Sequence, residues 1–163
     1  MSIIRGSMPH YHLRPATLAD AGALVRHREA MFTEMGSPAA DVAAAGPMFR
    51  SWLSEAMPNG VYRAWVVEAA AGDIVAGGGM TVLPWPPGPQ HPGGHVAFVY
   101  NVYTEPAHRG RGLARQVMNA VEEWCRSAGI QSVALNASVF GRPLYESMGY
   151  RVSESPTMVR RIG

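Results

Sequence analysis

A chain of 163 residues is long enough to bury one sizeable core, and 47% hydrophobic against 16% charged residues excludes the polar, highly charged make-up of a disordered chain. The formal net charge is only +2 although the pI is near 9.0, so any basic character acts locally and not as a global field. The single cysteine, Cys125, excludes an internal disulfide framework and a cysteine-rich zinc site.

Gly6-Ser7-Met8 reads as an expression scar ahead of a native start, so residues 1–7 are expected to be a tag or a disordered N-terminus and residues 8–163 a single domain. No apolar run approaches bilayer length and no secretion-type apolar region opens the chain, which leads to the expectation of a cytoplasmic protein that uses no membrane. Tyr11 to Arg14 predicts a short strand. Thr17-Leu18-Ala19-Asp20 then has the form of a helix start, a capping threonine with an acidic residue three positions on, followed by apolar residues at helical spacing up to Met35. Gly36-Ser37-Pro38 stops that helix. A second helical region is predicted from Ala39 to Met57, interrupted at Gly46-Pro47 because proline lacks an amide donor and clashes with the preceding turn.

Two strands follow, Arg63 to Ala69 and Ile74 to Leu83, joined at Ala71-Gly72-Asp73 as a hairpin. The segment Pro84 to Gly94, PWPPGPQHPGG, holds too much proline and glycine for regular structure and is expected to be a long loop. Val96 to Tyr103 carries apolar residues on both parities, the pattern of a central strand covered on both faces. From Leu113 an apolar stripe through Val117, Val121 and Cys125 predicts a helix with Gly129 just past its end. Ile130 to Asn136 predicts another strand, parallel to the first through the intervening helix. A short helix at Arg142 to Met148 and two short strands complete the chain.

The most informative stretch lies between strand and helix: Arg109-Gly110-Arg111-Gly112-Leu113-Ala114. A helix start exposes backbone amides with no internal acceptor and the positive end of the helix dipole, glycines let the backbone approach phosphate oxygens, and Arg109, Arg111 and Arg115 add cationic donors. A diphosphate suits such a turn. The Walker sequence is excluded because Gly112 is followed by Leu113 and Ala114, and the dinucleotide fingerprint fails on glycine spacing.

Arg109 to Ala114 resembles the Arg/Gln-x-x-Gly-x-Gly/Ala element of the GCN5-related N-acetyltransferases, and Val102 to Pro106 resembles the strand end before it. Leu144-Tyr145-Glu146-Ser147-Met148-Gly149-Tyr150 resembles that family's Leu-Tyr-Glu-x-x-Gly-Phe segment. The resemblance implies an α/β (α+β) fold: a mixed, twisted sheet of about six to seven strands flanked by about four helices, splayed between its fourth and fifth strands. It implies acetyl-CoA as co-substrate, held at its pyrophosphate by Arg109, Gly110, Arg111, Gly112, Leu113, Ala114 and Arg115. Main-chain groups of Val102, Tyr103 and Thr104 would hold pantetheine, with the Val102 amide polarising the thioester carbonyl, a role worth ~3 kcal/mol. Tyr145 would be the general acid for the departing thiolate.

Asn136 and Ser138 occupy the end of the fifth strand, where the family commonly bonds pantetheine through an Asn; Ser138 stands in its place. The acidic residue often found on the fourth strand falls here on Phe98, so proton removal passes to other candidates, a water held by Tyr100 or the carboxylate of Glu34. His91 and His95 flank the proline-rich loop, whose Trp85 could wall the acceptor pocket. The reaction so implied is transfer of acetyl to a primary amine of a small-molecule acceptor by direct attack in a ternary complex. No metal is called for, and a homodimer is compatible with the family. A non-catalytic acyl-CoA binding module would keep the turn without needing Tyr145. A nucleic-acid patch is disfavoured by a single short Arg-Gly run without interleaved aromatics.

Overall fold

Thr17 and Asp20 begin the helical part as their spacing predicts, the Asp20 carboxylate accepting from the Thr17 N–H at 2.8 Å. The structure, a computed structural model, describes residues 10–163, so the expected tag at residues 1–7 lies outside the described residues. Its elements are β1 (Tyr11–Pro15), a single 3-10 turn (Leu18–Asp20), α1 (Ala21–Glu34), α2 (Ala39–Ala56), β2 (Arg63–Ala69) and β3 (Ile74–Pro84). They continue with β4 (His95–Thr104), a second 3-10 turn (Pro106–His108), α3 (Leu113–Ser127), β5 (Val133–Leu135) and α4 (Arg142–Ser147).

The strands form one mixed sheet in the order β1-β2-β3-β4-β5. All neighbours are antiparallel except β4 and β5, which run parallel through the α3 crossover. Adjacent residues on β2 show the two layers: Val66 packs with Leu24, Val25 and Leu53 beneath α1 and α2, whereas Val67 packs with Leu113 and Val117 beneath α3. The apolar stripe of α3 is buried as predicted, Val117, Met118 and Val121 being fully enclosed.

Three expectations need correction. The sheet has five strands and not six or seven: residues 151–163 are exposed and form no strand. The outermost strand, β5, pairs over only Val133–Leu135, which offers almost no ladder for another strand to join, and Pro156 removes a donor from the following segment. The β5 strand is shorter than Ile130 to Asn136 because Ile130 is drawn into the α3 terminus, its N–H donating to Cys125 O at 2.8 Å beyond Gly129 at φ +72°. Helix α2 runs unbroken through Gly46-Pro47. Burial of Val42, Leu53 and Ala56 against the rest of the core outweighs one lost amide donor. Gly46 is there for close approach, since a Cβ would lie 2.0 Å from Glu29 Oε1 on α1.

Candidate active site

The site is built where β4 departs from regular pairing. Gly77 of β3 faces Tyr103 and Gly79 faces Tyr100, so Asn101 and Val102 together span the single residue Gly78. This bulge puts Asn101 at φ +60°, a left-handed conformation that Asn tolerates better than most residues. It also resets the strand's facing. Val102 lies over Gly78 beside Val117 of α3, while Tyr103 turns toward α1. On the other edge, β4 pairs with β5 only at Ala97–Val99. The main chain from Tyr100 to Thr104 therefore has no strand partner on that side, which is the splay that the family resemblance implies.

The strand then closes with Glu105 N–H donating to Val75 O at 2.8 Å, and the chain turns through Pro106–His108 into the glycine segment. Gly110 and Gly112 have φ of +73° and +77°, and among the described residues no atom beyond the chain neighbours lies within 4 Å of where a Cβ would stand on either. The helical ladder begins with Gln116 N–H to Gly112 O at 3.1 Å, so the amides of Leu113, Ala114 and Arg115 have no acceptor within the helix. Leu113 itself is 2% exposed and packs with Val75 and Ala76, which fixes the direction of the helix start. The donors and open approach suit a diphosphate.

The three arginines of the turn are not equivalent. Arg109 folds back: its Nε donates to Thr104 O at 2.9 Å and its Nη2 to both Glu34 oxygens at 2.8 Å, with the guanidinium 5.4 Å from the Tyr103 ring centre. The Tyr103 hydroxyl also donates to Glu34, at 2.9 Å. Burial alone would raise the Glu34 carboxyl, but the hydrogen bonds from Arg109 and Tyr103 outweigh it and hold the group below its ordinary range. Arg109 thus braces the end of β4 against α1. Arg111 is exposed 5.9 Å from the Tyr11 ring centre, and Arg115 reaches α4, donating to Ser147 Oγ at 2.6 Å.

Tyr145 lies on α4, 8% exposed, in the cluster formed by Met80, Val99, Met118 and Cys125, against which Val102 also packs. Its hydroxyl makes no hydrogen bond among the described residues, and burial pushes its pKa up to about 12. Ser138 sets the start of α4: its Oγ accepts from Gly141 N–H and its carbonyl from Arg142 N–H, both at 3.0 Å. A Cβ on Gly141 would come within 3.1 Å of Tyr145 Cε2. Asn136 is exposed just past β5. Cys125 is fully buried, and burial raises its thiol pKa, which makes a covalent cysteine route unsuitable.

On the α1 face of the bulge stands a polar chain that sequence reasoning overlooked. Arg28 donates through Nη1 to Asn101 Oδ1, and Asn101 Nδ2 donates to the hydroxyl of Tyr62 at 3.0 Å. Tyr100 packs in the same region and accepts from Thr81 Oγ1 at 3.3 Å. The available signals were an Asn inside an otherwise apolar strand and the run Gly77-Gly78-Gly79. A Cβ at Gly79 would lie 2.3 Å from the Tyr62 hydroxyl. The proline-rich loop is pinned by Trp85 N–H to Gly94 O at 2.9 Å, by the Trp85 and His91 rings 5.5 Å apart, and by His91 bonding Ser132. A groove of about 530 Å³ elsewhere is lined by Pro15, Met57, Trp65 and Trp124, none of them from the turn, the bulge or α4.

Among solved structures, the fold is similar to a GCN5-related N-acetyltransferase from Ralstonia eutropha JMP134, with TM-score 0.86 and 37% identity over 94% of this chain and 99% of that one. It is also similar to a crystal structure of a "predicted acetyltransferase with acetyl-CoA" from Clostridium acetobutylicum, with TM-score 0.82 and 23% identity over 93% and 96% of the two chains, a likeness of fold. A glucosamine 6-phosphate N-acetyltransferase of Trypanosoma brucei brucei is 34% identical over 59 residues, 36% of this chain and 40% of that protein. An uncharacterised N-acetyltransferase of Bacillus subtilis is 32% identical over 69 residues, 40% of this chain and 44% of that protein. The matched stretch thus spans less than half of either curated relative. Among the described residues no helix is long and apolar enough to cross a membrane. The pattern of the Acetyltransferase (GNAT) family covers residues 25–150, from α1 through the glycine turn to the tyrosine helix, and the chain belongs to that family.

Proposed function

We propose that this protein transfers the acetyl group of acetyl-CoA to a primary amine by direct attack within a ternary complex. The observation that carries the reading is one continuous strand-turn-helix unit that joins two open stretches of main chain. One is the Leu113–Arg115 helix start, whose amides have no acceptor within the helix, and the other is the edge of β4 from Tyr100 to Thr104 that has no strand partner at the splay.

Acetyl-CoA supplies an acetyl group already activated as a thioester. The amides of Gly110 to Arg115, with Arg111 and Arg115, grip its pyrophosphate, and the Val102 to Thr104 main chain aligns pantetheine along the open edge of β4. Asn136 and Ser138 flank that arm from the β5 side. The Val102 N–H stabilises negative charge on the carbonyl oxygen as the carbon–nitrogen bond forms and the carbon–sulfur bond breaks. Tyr145, protonated at any physiological pH, gives its proton to the departing sulfur, whose conjugate acid has a reference pKa of about 8.5. The proton lost by the amine goes to a water held by Tyr100. Glu34 is unsuited to that task because Arg109 and Tyr103 already occupy its carboxylate.

Calorimetric titration with acetyl-CoA at moderate salt, followed by thiol release over a panel of amines, tests the reading. Uptake together with amine-dependent thiol release is expected. Uptake without release by any amine supports a binding module instead, and no uptake by folded protein removes the coenzyme assignment altogether.

A further inference from the structure

Among the described residues only two arginines are not exposed, Arg14 and Arg28. Arg14 has two carboxylates, Asp20 at 2.8 Å and Glu68 at 2.9 Å. Arg28 has none, although a partly buried cation without a counter-charge is costly. Burial lowers its pKa, and the groups that oppose the shift are the phenols of Tyr62 and Tyr100.

The guanidinium is nevertheless held firmly. Its carbon lies 4.7 Å from the ring centres of both Phe32 and Phe49, and Nη1 is bonded to Asn101 Oδ1. Aromatic contact occupies the faces of a guanidinium and leaves its edge donors for in-plane partners. Asn101 takes one of five donors. An arginine kept planar and rigid, with its Nε and Nη2 edge uncommitted among the described residues, is suited to a bidentate oxyanion. Its location points to the ligand: the residue that anchors the guanidinium, Asn101, immediately precedes Val102, the residue assigned above to the thioester carbonyl, so the anchor is one residue from the proposed reaction centre.

We propose that Arg28, set by Phe32, Phe49 and Asn101, is a specificity residue that reads a carboxylate or phosphate carried on the acceptor a few bonds from its reactive amine. The proposal rests on the transferase reading above. It narrows the acceptor class to small acidic amines, in keeping with a partly buried arginine that has no carboxylate partner among the described residues.

The test uses matched probes: ω-amino acids of two to five carbons, aminoalkyl phosphates of the same lengths, and amino alcohols and alkylamines as uncharged counterparts. For wild-type protein, kcat/KM for the best acidic amine should exceed that of its uncharged counterpart by at least about tenfold, with the carboxylate and phosphate arms showing which oxyanion is read. In Arg28→Gln that ratio should fall roughly tenfold to hundredfold, the range for losing a charge-assisted hydrogen bond. Arg28→Lys, which keeps the charge and loses the fork, should recover part of it. Thermal melts monitor folding of both variants. Equal rates with acidic and uncharged amines in the wild type, or a ratio unmoved in Arg28→Gln, overturn the proposal. If acetyl-CoA binds but no amine is acetylated, the transferase reading fails, and calorimetry of the same probes on coenzyme-loaded wild type and Arg28→Gln still decides the oxyanion site. Tighter binding of acidic probes that the substitution abolishes supports it, and no preference refutes it.

Discussion

Replacing Tyr145 with Phe removes one oxygen and leaves the ring. The ring is what the core uses, since it packs among Met80, Val99 and Met118 and stands edge-on to Tyr150 at 5.9 Å. The hydroxyl makes no hydrogen bond among the described residues, so its loss leaves no partner stranded and stability should change by less than about 0.5 kcal/mol. The chemical consequence is much larger. A general acid positioned at the leaving group contributes on the order of 10²- to 10⁴-fold, and the phenol, held protonated up to a pKa of about 12, is the candidate for that role. Thiol release with a good acceptor should therefore show kcat for Tyr145→Phe lowered at least ~100-fold, while the calorimetric Kd for acetyl-CoA moves by less than about threefold and urea unfolding is unchanged. A variant that folds, binds coenzyme and turns over at the wild-type rate would refute the role of Tyr145 as acid.

Gly112→Val should weaken acetyl-CoA binding by about tenfold or more and reduce stability by about 1–3 kcal/mol, because a β-branched residue is forced to φ +77° where the chain enters the helix that presents the amides, as calorimetry and denaturant titration would show. Gly79→Ala should destabilise by about 1–3 kcal/mol or abolish folding in urea titrations, since a Cβ would stand 2.3 Å from the Tyr62 hydroxyl and 2.8 Å from the Arg63 carbonyl oxygen. His27 is 3% exposed, and burial lowers its pKa against the opposing pull of Glu105 at 3.1 Å. The unfolded chain therefore takes up a proton near pH 6.5 that the folded one resists. Stability should fall as pH drops below about 6.5, with a slope of at most about 1.4 kcal/mol per pH unit from this group, and His27→Asn should flatten that part of the urea midpoint profile.

The element order and the glycine turn were legible in the sequence because they are set by local chemistry. Apolar spacing placed α1, β2, β3, β4 and α3 to within a few residues, and the alternation of glycine with arginine before Leu113 announced a helix start with open amides. The same local logic misread α2, where it weighed the lost donor of Pro47 and could not weigh the burial of Leu53 and Ala56 or the close approach of Glu29 at Gly46. It also expected strands after Gly149 where no partner ladder is available to receive them.

The site divides along the same line. Which backbone groups could meet a diphosphate follows from one stretch of sequence, but the use of each side chain depends on what another part of the chain brings to it. Arg109 looked free until α1 delivered Glu34, 75 positions away in sequence, and Asn101 looked like an ordinary strand residue until the bulge opposite Gly78 turned it toward Arg28, 73 positions away. Periodicity and capping act over a few residues and are therefore written in local sequence. Ion pairing, burial and strand register are long-range interactions whose partners only the folded chain selects.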